Sequence, residues 1–114
     1  MKQKTTLQKI FNKVKRHLLK QNKKAWSETK GCMYLNKDGD KCAVGCLIFK
    51  KDYNPDIEGQ TAHDPLVHKC LPFVITQKRI SFLAKLQEIH DNSEPDQWPG
   101  KLENLAKEYN LKYS

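Results

Sequence analysis

No part of this 114-residue chain is apolar for the roughly 20 consecutive residues that a membrane-crossing helix needs. The first residues, MKQKTTLQKIFNKVKRHLLK, lack both a continuous apolar stretch and a small-residue cleavage site, so they do not read as a secretory signal and an intracellular location is expected. Acidic residues are missing from positions 1–27 altogether. Catalytic signatures are missing too: there is no Walker loop, no GxGxxG, no GxSxG and no HExxH. Asn36, Asp38 and Asp40 alternate as in a calcium loop, but the last ligand position falls on Leu47 instead of a glutamate, which excludes a standard EF-hand. With so thin a catalytic inventory the chain is expected not to be an enzyme and to need no cofactor.

What is present is a marked asymmetry of charge. The net charge of +8 is concentrated in positions 1–27, which hold nine basic residues; the remaining twelve are outnumbered by all thirteen acidic ones. An almost neutral body therefore carries a basic N-terminal segment, and any electrostatic partner is to be sought there. Within that segment Leu7, Ile10, Phe11, Val14, Leu18 and Leu19 recur at helical spacing and predict an amphipathic helix over about 5–24, with Thr5 and Gln8 reading as a capping box. Its basic residues, Lys9, Lys13, Lys15, Arg16, Lys20, Lys23 and Lys24, are the candidate partner-binding set. A solvated face that only aids solubility is the plainest reading of such a run. A nucleic-acid contact, an acidic protein partner and a membrane surface are the alternatives. The segment has a single arginine, and lysine is a point charge without the fork that reads bases, so DNA or RNA would be held with little sequence preference.

The stretch GCMYLNKDGDKCAVGCLIF, positions 31–49, predicts a central β-hairpin. Gly39 stands where a left-handed residue closes a three-residue loop with a bulge, opposing Asn36 to Asp40 and Tyr34 to Cys42; a two-residue loop would instead oppose Leu35 to Cys42. The apolar run that follows reads as a buried turn of helix in which Gly45 admits a close backbone neighbour. In a reducing compartment Cys32, Cys42, Cys46 and Cys70 are not expected to form a disulfide framework. Small buried filler is their simplest role. Zinc held by Cys32, Cys42 and Cys46 with His68 or Cys70 is the sharper alternative, although these spacings match no common zinc pattern. A nucleophilic Cys42 or Cys46 would need His63, His68 or His90 as a base beside it.

Positions 50–65 read as a long surface loop in which Asp52, Tyr53, Asp56 and Glu58 stand out, either solvated or gathered around a divalent cation. A short helix and a strand or extended segment are expected within DPLVHKCLPFVI. A second amphipathic helix is expected over about 77–91, with Phe82, Leu83, Leu86 and Ile89 inward, and a final one near QWPGKLENLAKEYNL with Trp98, Leu102, Leu105 and Tyr109 inward. His90-Asp91 is a very weak metal-phosphohydrolase signal, and a histidine at a helix C-terminus more simply complements the dipole. The resulting fold class is α+β and predominantly helical: an N-terminal amphipathic helix, a central β-hairpin and two C-terminal helices around one core. One domain, 1–114, is expected, with the basic helix packed on a body of about 26–111.

The order GCMYLNKDGDKCAVGCLI, then YNPDIEG, then LQEIHDN ahead of a tryptophan, resembles a group of small bacteriophage and prophage proteins. They share C-x-Y, a glycine turn, K-C-A-V-G-x-L-I, an acidic loop ending in Glu-Gly, and L-Q-x-x-H-D. The resemblance covers about 26–111 and brings no assigned activity, catalytic residue or cofactor. Two features depart from the group: Phe49-Lys50 stands where Pro-Asp often follows L-I, and the N-terminal helix is more basic. The resemblance implies a phage setting; with the small size, the missing catalytic motifs and the charge asymmetry, the expectation is an accessory protein of the host cytoplasm that binds and modulates or inhibits a host or defence protein or ribonucleoprotein. A nucleic-acid-binding module and a small zinc protein are the alternatives.

Overall fold

The computed structural model describes residues 5–113. The fold is α+β and mostly helical, with four α-helices and one small antiparallel hairpin. Helix α1 (Leu7–Gln21) buries Ile10, Phe11, Val14 and Leu18, the centre of the predicted apolar face, while Leu7 and Leu19 are partly buried at its edges. Its N-cap is Thr6 and not Thr5: the Thr6 hydroxyl accepts the Lys9 N–H at 3.2 Å. Gln8 does not complete a capping box but bonds Asn12 and the backbone of Lys112. Asn22, in the left-handed region, ends the helix by returning its N–H to the Leu18 carbonyl.

The regular ladder forms one step earlier than the glycine turn. Strands β1 (Trp26–Ser27) and β2 (Gly31–Cys32) pair Trp26 with Cys32 and Ser27 with Gly31. The Asn36–Asp40 turn follows as a second, minimal hairpin with a single bridge, Leu35 to Lys41. Its register is the bulged one: Asn36 N–H donates to the Asp40 carbonyl, Gly39 N–H returns to Asn36, and Gly39 has φ +86°. The ladder does not extend because the Glu58 carboxylate takes the N–H groups of Tyr34 and Leu35, at 2.9 and 3.1 Å.

Residues 42–48 are buried without exception and contain one 3-10 turn, Gly45–Leu47. A Cβ on Gly45 would lie 2.0 Å from the Tyr34 carbonyl oxygen, so only glycine allows the hairpin backbone to close onto this segment. The loop that follows contains two 3-10 turns, Lys50–Asp52 and Pro55–Ile57, and drives Ile57 into the core. Helix α2 (Pro65–Lys69) starts on an Asp64 cap. Helix α3 (Gln77–Asn92) buries Phe82, Leu83, Leu86 and His90. The predicted Ile89 is only partly buried, because the step of four from Leu86 brings His90 under the stripe. Helix α4 (Trp98–Glu108) carries Pro99 in its first turn, buries Trp98, Leu102, Leu105 and Ala106, and sets Tyr109 edge-on to Phe82 at 4.8 Å. Helix α1 lies against α3, α4 and the 45–47 turn, and one apolar cluster runs through all of them.

Candidate functional site

Two regions gather chemically capable side chains. The first lies at the end of α3, where Gln87, His90 and Asp91, spaced by three and four, emerge on one side of the helix. His90 is fully buried and stacks on Trp98, with ring centres 5.5 Å apart. Its Nε2 accepts the Ala25 N–H at 3.1 Å, so the ring proton sits on Nδ1, which donates to Asp91 Oδ1 at 2.7 Å. Gln87 donates to the same carboxylate oxygen at 3.0 Å and accepts the Val44 N–H at 3.0 Å. The half-buried Cys32 thiol lies near Asp91, its sulfur within 4.8 Å of a carboxylate oxygen; burial and that carboxylate push its pKa up to about 11. Cys32, Gln87 and Asp91 face a cleft of about 340 Å³.

Among the described residues, Cys32, His90 and Asp91 are the His/Cys/Asp/Glu group of three whose ligand atoms converge, within 4.8 Å of one another. The donor set does not fit a metal. Coordination through Nδ1 would have to displace the proton that the Ala25 N–H holds there by occupying Nε2, leaving either an imidazolate or a buried unpaired N–H. Nor does it make a nucleophile, since neither imidazole nitrogen is free to take the Cys32 proton and the Asp91 charge opposes a thiolate.

The candidate zinc set is not assembled. Cys42 is fully buried, accepts the Gly45 N–H at 3.3 Å, and burial drives its pKa far up. Cys46 donates to the Ala43 carbonyl at 3.1 Å, and burial pushes it up to about 12. Cys70 bonds the Leu66 carbonyl within its own turn, and His68 bonds the Ala62 carbonyl. Although the bulged register is present, Cys32 turns to Asp91 and not to Cys42. Glu58, a candidate cation ligand, is committed to two backbone N–H groups and to the Tyr53 hydroxyl at 2.6 Å. His90 lies in the last turn of α3, as its place near the helix end suggested, and is in addition a buried connector between α3, the first hairpin and α4. The signal that would have found it is the polar triplet at 87, 90 and 91 beside an apolar stripe.

The second region is the outer face of α1. Lys9, Lys13, Arg16 and Lys20 follow one another by four, three and four, within roughly 60° of arc and about 16 Å of helix. All four are exposed, and none forms an ion pair with an acidic residue among the described residues. The other three candidates are engaged elsewhere. Lys15 bonds the Tyr113 carbonyl and lies over that ring, 4.1 Å from its centre. Lys23 pairs with Asp40 at 3.4 Å. Lys24 bonds the Asp91 carbonyl at 3.2 Å and approaches Glu94 at 3.8 Å.

Beside the stripe the structure adds a residue that sequence reasoning had noted only as a departure. Phe49, 39% exposed, lies under the Lys13 ammonium at 5.5 Å and is followed by exposed Lys50 and Lys51. The aromatic ring and the basic row thus adjoin one another in space. No helix of the described residues is long and apolar enough to cross a membrane. Compared with protein-family models, curated proteins and solved structures, the chain matches none.

Proposed function

We propose that this protein is a phage accessory factor that acts in the host cytoplasm without catalysis, by stoichiometric binding to a host or defence protein or ribonucleoprotein. The viral setting follows from the resemblance described above. The observation that carries the binding reading is the row Lys9, Lys13, Arg16 and Lys20, four exposed cations on one helix face with no carboxylate paired to them among the described residues. Such a row adds to the positive potential at one end of a molecule whose part beyond residue 27 is nearly neutral, and steers it towards an anionic surface. The commitment of both His90 ring nitrogens, and of the Asp91 carboxylate to His90 and Gln87, argues for a binding protein over an enzyme or a zinc protein.

The test is an affinity capture from host lysate with the full chain, run beside Lys9→Glu, Lys13→Glu, Arg16→Glu and Lys20→Glu combined, and repeated after nuclease treatment. A stoichiometric partner retained by the parent and lost by the charge-reversed protein is expected. Equal retention by both would overturn the basic-face reading.

A further inference from the structure

We infer that the groove beside α1 receives one unstacked base of a single-stranded nucleic acid, whose phosphates follow the Lys9, Lys13, Arg16 and Lys20 row. This rests on the basic-face reading and specifies the partner chemistry within it. The groove, of about 130 Å³, has Ile10, Leu47 and Phe73 as its floor, the exposed Phe49 ring as a wall, and Lys9 and Lys13 at its rim. Cations cover both rings: Lys13 sits over Phe49 at 5.5 Å and Arg79 over Phe73 at 5.7 Å.

An exposed phenylalanine inside a basic field is the combination that single-strand binders use, an aromatic face for the base and cations for the backbone on either side. A duplex keeps its base faces stacked inside and has nothing to offer the groove. An acidic protein would satisfy the lysines but leave the aromatic wall in water. Because the row is mostly lysine and the groove offers an apolar, aromatic surface, every base is admitted and sequence preference is weak. Phe49 directly follows the buried 42–48 segment, which places its ring beside the row.

The experiment is fluorescence anisotropy of labelled oligouridylate and oligothymidylate of about 12 nucleotides, titrated with the full chain across a salt series. A duplex of equal length and inorganic polyphosphate serve as competitors. Single strands are expected to bind best, with a log affinity against log salt slope near −3, as about four neutralised phosphates require. Phe49→Ala is expected to weaken single-strand binding about tenfold and leave the slope and polyphosphate competition unchanged, while Phe49→Trp keeps the affinity. The partial exposure of the ring keeps both variants folded, and their urea midpoints check this.

Equal binding by Phe49→Ala and the parent, or duplex binding as tight as single-strand binding, overturns the inference while leaving a charge-dependent partner in place. If the parent binds no polyanion at low salt yet still captures a nuclease-resistant protein through the basic row, the inference again fails and the basic-face reading stands. If charge reversal changes no capture either, both fail together.

Discussion

The end of α3 and the outer face of α1 both carry residues with chemical capacity, and they differ in how much of that capacity is already engaged. At the end of α3, residue types that suggest chemistry, a cysteine, a histidine and an aspartate, meet closely, yet His90 uses both ring nitrogens and Asp91 accepts from both His90 and Gln87. On α1 the residue types are ordinary, but the side chains of Lys9, Arg16 and Lys20 form no hydrogen bond, ion pair or ring contact among the described residues, and Lys13 lies over the Phe49 ring. Proximity of reactive residue types does not make a reactive site; groups left without partners do. The first region holds segments 65 residues apart together, and the second is available to something else.

The comparison predicts opposite responses to mutation. His90→Ala should cost about 4 kcal/mol, because it opens a cavity against Trp98 and leaves the buried Ala25 N–H and the Asp91 carboxylate short of a partner. Urea unfolding measures it. A loss under about 1 kcal/mol would show that this network is not what ties the first hairpin to α3.

A smaller effect belongs to the Cys32 thiol. With its pKa pushed up to about 11, Cys32 should react with an alkylating reagent at pH 8 about a hundredfold more slowly than an unperturbed cysteine. Asp91→Asn, which removes the opposing charge, should quicken it. Mass spectrometry of timed alkylation follows each cysteine separately. Fast labelling of Cys32 in the parent would reopen the nucleophile reading.

How much of this was legible follows from the range of the interactions. Apolar spacing alone placed α1 and most of α3 and α4, since helical periodicity is a local property, and the Asn36 to Gly39 turn set its own register. The β1–β2 ladder escaped because two-residue strands that begin with an exposed tryptophan show no alternation. The connecting role of His90 escaped for the opposite reason: its partner, Ala25, is distant in sequence and is a backbone group that no residue type announces. The basic row was visible in its spacing. That Lys15, Lys23 and Lys24 drop out of it depends on Tyr113, Asp40 and Asp91, which only the folded chain brings near. The adjacency of Lys13 and Phe49 is tertiary in the same way.

For the basic row the stability prediction is nearly nil. Replacing Lys9, Lys13, Arg16 and Lys20 together by glutamine should change the unfolding free energy by no more than about 0.5 kcal/mol per site. Relief of repulsion within the row would make the sign favourable if anything, while binding to any polyanion is lost. A large destabilisation would show that these side chains hold the fold and would remove the contrast with α3.

The smallest effect is expected where the inner side of α1 meets the second hairpin. His17 donates from Nε2 to the Lys41 carbonyl at 2.9 Å, which Gln21 also reaches. Burial, with Lys41 and His90 nearby, lowers its pKa below the ordinary 6.5, against the opposing pull of that hydrogen bond and of Asp40. The unfolded chain therefore binds the proton more readily than the folded one. His17 imposes no loss above about pH 6.5; as the pH falls below that value towards the folded pKa, stability declines, and below the folded pKa the loss is complete. Half-exposed surroundings keep the loss small. His17→Gln preserves a donor for the Lys41 carbonyl and removes the titration, so the parent and the variant should differ in urea midpoint by an amount that changes between pH 7 and pH 5. A pH-independent difference would show that His17 acts only through packing.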